Sequence, residues 1–315
     1  MKTDDKILVT GHNGLVGSSI VRALKRKGFN ENNIHTRSRQ ELNLLNQKDV
    51  EDYVQFIKPT YIICAAAKVG GIYANATYPA EFIYENLMIQ TNIIHSAHLA
   101  NVQNLLFLGS SCIYPKFAKQ PIKEEYLLSD YLESSNESYS IAKITGIKMC
   151  DSYRKQYGRN YISAMPTNLY GPNDNYHLQN SHVLPALIRK FYEAKQSNNK
   201  EVVLWGTGSP KREFLYSDDL ADACLFLLEK NHNVNLINIG TGEDMSIIQI
   251  AETVKNIVGF KGEIIFDKSK ADGTPRKVLD VSKIHNLGWK HNYSLERGIE
   301  LTLKDFIDNN SKLRL

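Results

Sequence analysis

At 315 residues, with 42% apolar and 23% charged side chains, the chain has the composition of an ordinary globular protein and the length at which one core gives way to two. Its net charge of +4 is spread without a polybasic block, which argues against a nucleic-acid partner and suits an anionic small molecule. The four cysteines, at 64, 112, 150 and 224, form neither a CxxC pair nor a metal-ligand spacing, so no metal and a reducing, cytoplasmic setting are expected.

KILVT (6–10) reads as a strand directly behind a charged start without the pattern of a signal peptide, and Leu15 to Lys27 as a helix with Gly28 near its end. Between them TGHNGLVGS (10–18) places glycines at 11, 14 and 17. A tight turn, a close backbone approach and helix packing each require a missing side chain there, and the helix N-terminus then faces a pyrophosphate. The spacing is GxxGxxG, in the strand–loop–helix context of a dinucleotide site. NIHTR (33–37) is a weaker second strand. An acid at its end would bond a ribose 2′-hydroxyl, but HTRSRQEL offers Arg37 and Arg39 ahead of Glu41, and guanidinium groups pair well with phosphate. NADP(H) is therefore expected as cofactor; the bland alternative is that both arginines are solvated surface charges.

A helix around Gln47 to Ile57, a buried strand YIICAAA (61–67), a long helix from about Ala80 to Ala100 and a strand NLLFLGS (104–110) follow. Neither this run of elements nor any later one holds the ~18 consecutive apolar residues of a membrane helix. In LGSSCIYPK (108–116) Ser110 is placed to hydrogen-bond a carbonyl oxygen. Cys112 stands outside any apolar strand or helix pattern, whereas Cys64, Cys150 and Cys224 read as packed thiols. Glu137 to Tyr157 is a helix on which YSIAK sets Tyr139 and Lys143 at i and i+4, about 6 Å apart along the axis. The ammonium is expected to favour the phenolate and make Tyr139 an acid/base group closer to neutrality than a free tyrosine. YISAMP (161–166) is the next strand.

Repeated βα units with apolar, non-alternating strands define an α/β fold, a doubly wound parallel (Rossmann) sheet covered on both faces. PTNLYGPNDNYHLQNSH (166–182) is long and polar for a connector, as functional loops are. Beyond it come a helix from His182 to Ala194, strand EVVLW (201–205), helix Asp218 to Lys230, strand LINIG (236–240), helix Ser246 to Val258, strand EIIFD (263–267) and a terminal helix from about Ser294. Residues 1–166 are expected to form the cofactor domain, with segments of about 201–240 returning to the sheet or its edge, and 167–315 mainly a smaller C-terminal α/β substrate-binding domain.

The glycine loop with Ser110 and the YxxxK pair resembles the extended short-chain dehydrogenase/reductases. The likeness narrows through AAAKVGGIYAN (65–75), LGSSCIYPK, NESYSIAK, MPTNLYGPND (165–174), NSHVLPAL (180–187), WGTGSPKREFLYSDD (205–219) and DGTPRK (272–277), which together resemble the GDP-L-fucose synthases over nearly the whole chain. That family epimerises C3 and C5 of GDP-4-keto-6-deoxy-D-mannose and reduces C4 with NADPH. The resemblance implies a thiol–imidazole acid/base pair at Cys112 and His182, flanking the sugar ring. Both groups exchange protons around neutrality, which a serine hydroxyl does not. Tyr139 and Ser110 would stabilise the enolate oxygen, Tyr139 would protonate it on reduction, and Lys143 would hold the nicotinamide ribose.

The resemblance further implies cofactor contacts at Gly11, Asn13, Gly14, Leu15, Val16, Gly17, Arg37, Arg39, Leu108, Gly109, Lys143, Pro166, Asn168, Leu169 and His182. Ser111, Lys190, Trp205, Arg212 and, more weakly, Asp272 would hold the nucleotide-sugar. Bland alternatives exist for several of these: Cys112 as a small packed residue, His182 as a helix cap with His177 mistaken for it, and Trp205 as core. Asn13 stands where the family commonly carries an arginine, leaving Arg37 and Arg39 to select the 2′-phosphate, and FNENNIHT (29–36) is longer than usual.

The closest rival is a relative that only reduces C4 of another GDP-4-keto sugar, such as a heptose. An NAD-dependent dehydratase or 4-epimerase would prefer an acid at the second strand end. A non-catalytic cofactor-binding scaffold would not need Ser110, Tyr139 and Lys143. The helices at 80–100 and 137–157 carry apolar residues on more than one face, including Phe82, Ile83, Leu87, Ile93 and Ile94, so a homodimer through a four-helix interface is expected.

Overall fold

Six parallel strands form the main sheet, in the spatial order Leu236–Ile239, Asn160–Pro166, Asn104–Leu108, Tyr61–Cys64, Ile7–Thr10 and Ile34–His35. The computed structural model describes residues 1–177, 180–229, 233–270 and 272–309, without the side chain of Ile72. All four residues of Ile7–Thr10 are buried, as a strand covered on both faces requires. Its neighbours are Ile34–His35 on one side and Tyr61–Cys64 on the other, so successive crossovers leave in opposite directions at its carboxyl end. That switch point opens a crevice at Gly11.

The helices Gln47–Ile57 and Glu137–Tyr157 and the strands Glu201–Trp205 and Glu263–Asp267 have the bounds expected of them. Asn46 starts the first of these helices by accepting from the backbone N–H groups of Lys48 and Asp49, and Gly158 ends the second in the left-handed conformation at φ 66°. The remaining expected helices appear as Leu15–Arg26, Pro79–Leu99, Val183–Gln196, Ser217–Glu229, Ile247–Val258 and Leu295–Asp308. Lys230, taken as the end of one of them, lies outside the described residues. Among the described residues no helix is long and apolar enough to cross a membrane.

Two expectations need correction. The second strand shrinks from 33–37 to Ile34–His35, which pair with Ile7 and Leu8. The residues after them, Thr36 to Arg39, are too polar to bury a face at the sheet edge. Of the later segments, Leu236–Ile239 joins the sheet beside Asn160–Pro166, but Glu201–Trp205 pairs instead with Glu263–Asp267 in a separate two-stranded sheet. Its burial alternates along the strand, the mark of one buried face rather than two.

Unforeseen elements complete the smaller part. Asn168–Tyr170 pairs with Phe214–Tyr216, and Lys211–Arg212 lies between Met245–Ser246 and Arg276–Lys277. Two apolar cores result. One surrounds the main sheet; the other lies among the helices Val183–Gln196, Ile247–Val258 and Leu295–Asp308 and the small sheets. Leu15–Arg26 and Ser217–Glu229 are tied by Arg22 and Arg26, each donating to the buried Asp218 carboxylate at 2.7 and 2.8 Å.

Asp174, in the long polar connector, is 5% exposed. Its Oδ1 accepts the Asn175 N–H at 2.7 Å, while Oδ2 has no hydrogen-bond partner among the described residues. Burial lifts its pKa to about 7. A carboxyl whose folded pKa is raised gives the fold an advantage below its unfolded pKa, and that advantage is lost as pH climbs to the folded value. Asp174→Asn should therefore raise the melting temperature relative to the parent at pH 8 and make much less difference at pH 4, as thermal unfolding at the two pH values will show.

Candidate active site

The crevice at the switch point is lined first by the glycine loop. Gly11 sits at φ +73°, and a Cβ on Gly17 would lie 2.2 Å from the Gly11 carbonyl oxygen, so both positions need glycine. Gly14 caps the helix Leu15–Arg26 without any side-chain cap, which leaves the first-turn N–H groups, those of Leu15 and Val16 among them, facing the crevice. This is a built cradle for a dinucleotide pyrophosphate. Asn13 lies exposed in the same turn. Further out, Arg37 stacks 5.0 Å over the Tyr53 ring, and Arg39 pairs at 3.7 Å with Glu85.

The strand Asn104–Leu108 delivers the reacting side chains. After Gly109, whose N–H bonds the Ala164 carbonyl at 2.9 Å, Ser110 caps the short turn Ser111–Ile113 by accepting from the Cys112 N–H at 3.4 Å. The Cys112 carbonyl accepts from Ser140 Oγ at 3.0 Å, docking the turn onto the helix Glu137–Tyr157. Ser110 lies near enough to Tyr139 to favour its ionised form, and Tyr139 also meets the edge of Phe82 at 6.2 Å. Lys143 is buried and donates to the Leu108 carbonyl at 2.8 Å, with its ammonium 5.8 Å from the Tyr139 ring centre.

These surroundings correct one expectation. Burial pushes the Tyr139 pKa up rather than down, with the nearby Cys112 adding to the rise and Ser110 opposing it. Burial likewise lowers Lys143, which the Cys64 and Cys112 thiols only partly offset. Desolvation outweighs the ammonium–phenolate attraction, so both groups rest in their neutral directions. Tyr139 is thus a protonated donor aimed beside Cys112, not a ready base.

Cys112 is 8% exposed and lies within electrostatic reach of Tyr139, Lys143 and Lys277. His182 caps the helix Val183–Gln196 and keeps an exposed edge, yet burial depresses its pKa and Lys277 depresses it further. His177 is set apart from it, since its Nδ1 accepts the Asn180 N–H at 3.1 Å within the connector.

Lys277, within DGTPRK, is not among the residues expected at the site. It comes into the site because Arg276–Lys277 pairs in parallel with Lys211–Arg212, putting Lys277 opposite Arg212. A two-residue strand has no periodicity to read, so only its place in the quoted motif could have flagged it.

The remaining expected residues spread toward the small sheets. Trp205 is 59% exposed, against core packing, and Lys190 stands 5.7 Å from its ring centre while donating to the Val203 carbonyl at 3.2 Å. Asp272 accepts from the Thr207 N–H at 2.9 Å and Oγ1 at 2.7 Å, closing the turn that follows Trp205, and its charge reaches Arg212. Ser111 is buried beside Cys112, Pro166 ends a sheet strand, and Asn168 and Leu169 lie in the short strand that follows. Asn168 Nδ2 donates to the Glu213 carbonyl at 2.8 Å.

A Rossmann cradle joined to a serine, a tyrosine and a lysine at a strand end defines a dinucleotide-dependent enzyme acting on a carbonyl or its adjacent carbons. The chain belongs to the NAD dependent epimerase/dehydratase family, whose sequence pattern matches residues 7–240. Within it the chain falls among the GDP-L-fucose synthases. It is 57% identical to the putative GDP-L-fucose synthase 2 of Arabidopsis thaliana, over 96% of this chain and 92% of that protein. It is 52% identical to the GDP-L-fucose synthase of Escherichia coli K12, over 98% of each. A GDP-mannoheptose C4 reductase from Campylobacter jejuni with NADP bound superposes with a TM-score of 0.88 at 43% identity, covering 98% of this chain and 99% of that one.

Removing the Lys277 charge relieves the repulsion that disfavours the imidazolium. Lys277→Ala should therefore move the His182 titration to higher pH, read from the ring carbon shifts of labelled histidine by NMR. An unmoved titration would place Lys277 out of reach of the ring.

Proposed function

We propose that the chain converts GDP-4-keto-6-deoxy-D-mannose to GDP-L-fucose, epimerising C3 and C5 and reducing C4 with NADPH. One observation supports this reading: Lys277 lies within charge reach of both Cys112 and His182, as a thiol and an imidazole serving one sugar ring beside Tyr139 would require. Epimerisation next to a ketone removes a carbon-bound proton on one face of the ring and returns one on the other, so it needs two such groups. Cys112 and His182 fill that requirement, and a general acid or base typically contributes 10²–10⁴-fold.

The raised pKa of Tyr139 suits it to hold the C4 oxygen as a donor, with Ser110, while enolate charge develops there. The same hydroxyl then delivers its proton to the oxygen on reduction. The glycine cradle would hold NADPH, with Arg37 and Arg39 available to its 2′-phosphate, and the bound cofactor would supply the hydride. Lys143, which donates to the Leu108 carbonyl, would also hold the nicotinamide ribose. Arg212, Lys190 and Trp205 receive the diphosphate and guanine, with Asp272 fixing the turn beside Trp205.

A second reading, C4 reduction alone on another GDP-4-keto sugar, has support in the likeness to a C4 reductase. Incubation with GDP-4-keto-6-deoxy-D-mannose in deuterium oxide separates the two. Deuterium is expected at C3 and C5, with GDP-L-fucose formed once NADPH is added, and Cys112→Ser should slow the exchange by about 100-fold or more. Reduction without label at either carbon would leave the reductase reading.

The helices Pro79–Leu99 and Glu137–Tyr157 pack on each other and still expose Tyr84, Leu99, Ile141 and Tyr157. We propose that a second copy covers this face, giving a four-helix interface. Light scattering should return a dimer for the parent chain and a monomer for the Tyr84→Glu/Ile141→Glu variant; a monomeric parent at micromolar concentration would sink the interface.

A further inference from the structure

Glu213 is the residue after Arg212, its side chain is fully buried, and no step of the proposed reaction uses it. Among the described residues no cation pairs with its carboxylate. Instead Oε1 accepts the backbone N–H groups of Thr241 at 2.6 Å and Gly242 at 2.8 Å, and Oε2 accepts that of Leu279 at 2.8 Å. Gly240 makes room for it, since a Cβ there would lie 2.0 Å from Oε1. The Glu213 backbone is held as well: its N–H donates to the Lys277 carbonyl at 3.3 Å, and its carbonyl accepts from Thr167 Oγ1 at 3.2 Å and Asn168 Nδ2 at 2.8 Å.

These contacts join three separate parts of the chain. Thr167 and Asn168 continue from the sheet strand Asn160–Pro166, Thr241 and Gly242 follow the edge strand Leu236–Ile239, and Leu279 follows the pair Arg276–Lys277. The carboxylate therefore bolts the two-residue ladder bearing Arg212 and Lys277 to the carboxyl edge of the main sheet, where the cofactor cradle and Cys112 lie. A short ladder of two residue pairs cannot set that position by itself.

We infer that Glu213 is a positioning residue that holds the Arg212–Lys277 cation pair in register with the reacting groups, so that nucleotide-sugar binding and the charge on His182 both depend on a carboxylate that touches neither. This rests on the nucleotide-sugar reading above for its binding consequence, and on the ladder geometry together with the Lys277 charge felt at the ring for its effect on His182. Glutamine keeps the size of the side chain but turns an amide N–H toward one of the three donors, so the ladder must shift.

Titration calorimetry with GDP, NADPH binding by fluorescence, and the NMR titration of His182 test this on Glu213→Gln. GDP binding should weaken by about tenfold or more while NADPH binding changes by less than about twofold, and the His182 titration should move upward as Lys277 withdraws. In an Arg212→Ala/Lys277→Ala background the same change should leave GDP binding and the His182 titration unaltered, because the groups it positions are gone. General loosening of the fold would instead persist in that background and weaken NADPH equally; either result overturns the inference, as does wild-type GDP affinity in Glu213→Gln. Should the parent chain fail to bind GDP, the nucleotide-sugar reading falls and the His182 titration alone decides the role of Glu213. If Glu213→Gln does not fold, Glu213→Asp, which keeps the charge but is one methylene too short to span its donors, is read by the same measurements.

Discussion

The active site depends on a strand end and a helix being held face to face by two hydrogen bonds. Ser140 Oγ reaches the Cys112 carbonyl, and Lys143 Nζ reaches the Leu108 carbonyl one turn of helix further on. Each bond contributes only about 1 kcal/mol to net stability. Their value is positional. Ser110 and Cys112 ride on the turn, Tyr139 and Lys143 on the helix, and neither segment could present its pair usefully without the other. The parallel sheet supplies the rigidity behind this arrangement, since its strand ends stop at one edge and that edge is the crevice.

Within that frame, burial drives each ionisable group toward its neutral form. It raises Tyr139 and lowers Lys143, His182 and Lys277. In water the lysine would keep its charge and help a neighbouring tyrosine to ionise; a desolvated crevice penalises both charged forms. The consequence is a resting site with a phenol that donates and an imidazole that accepts. Proton transfer to and from carbon then needs no prior neutralisation by solvent, and charge that develops on the sugar meets fixed donors rather than mobile water.

Much of this was legible in the residues, and the failures have physical causes. Helix ends fell close to their expected places, and the structure caps three of them with Asn46, Ser246 and Gly158, residue types suited to those positions. The buried strands showed through unbroken apolar runs. NIHTR was overextended because a strand at the sheet edge stops where its neighbour stops offering partners, which no single segment reveals. Tyr139 and Lys143 were visible through their spacing, but the direction of the Tyr139 shift was not, since it follows from how much protein closes over the ring. Lys277 and Glu213 escaped notice for a related reason. Lys277 enters through a ladder between two-residue strands far apart in the chain, and Glu213 acts through backbone groups of three distant segments, so neither leaves a pattern long enough to be seen.

A backbone this close to that of a C4 reductase cannot by itself choose between one reaction and two. Reduction asks for a hydride donor, a proton donor and a held carbonyl, and the cradle with Ser110, Tyr139 and Lys143 is sufficient for those. Epimerisation adds a demand that the fold does not automatically meet, a pair of proton carriers around the same ring. The carriers proposed here come from different parts of the molecule, Cys112 from the turn after a main-sheet strand and His182 from the start of the first helix of the smaller part, with the Lys277 charge felt from a third. The second reaction is therefore a property of how the two parts meet. A chain could keep every residue of the cradle and lose epimerisation through a shift of the small sheets that leaves reduction intact.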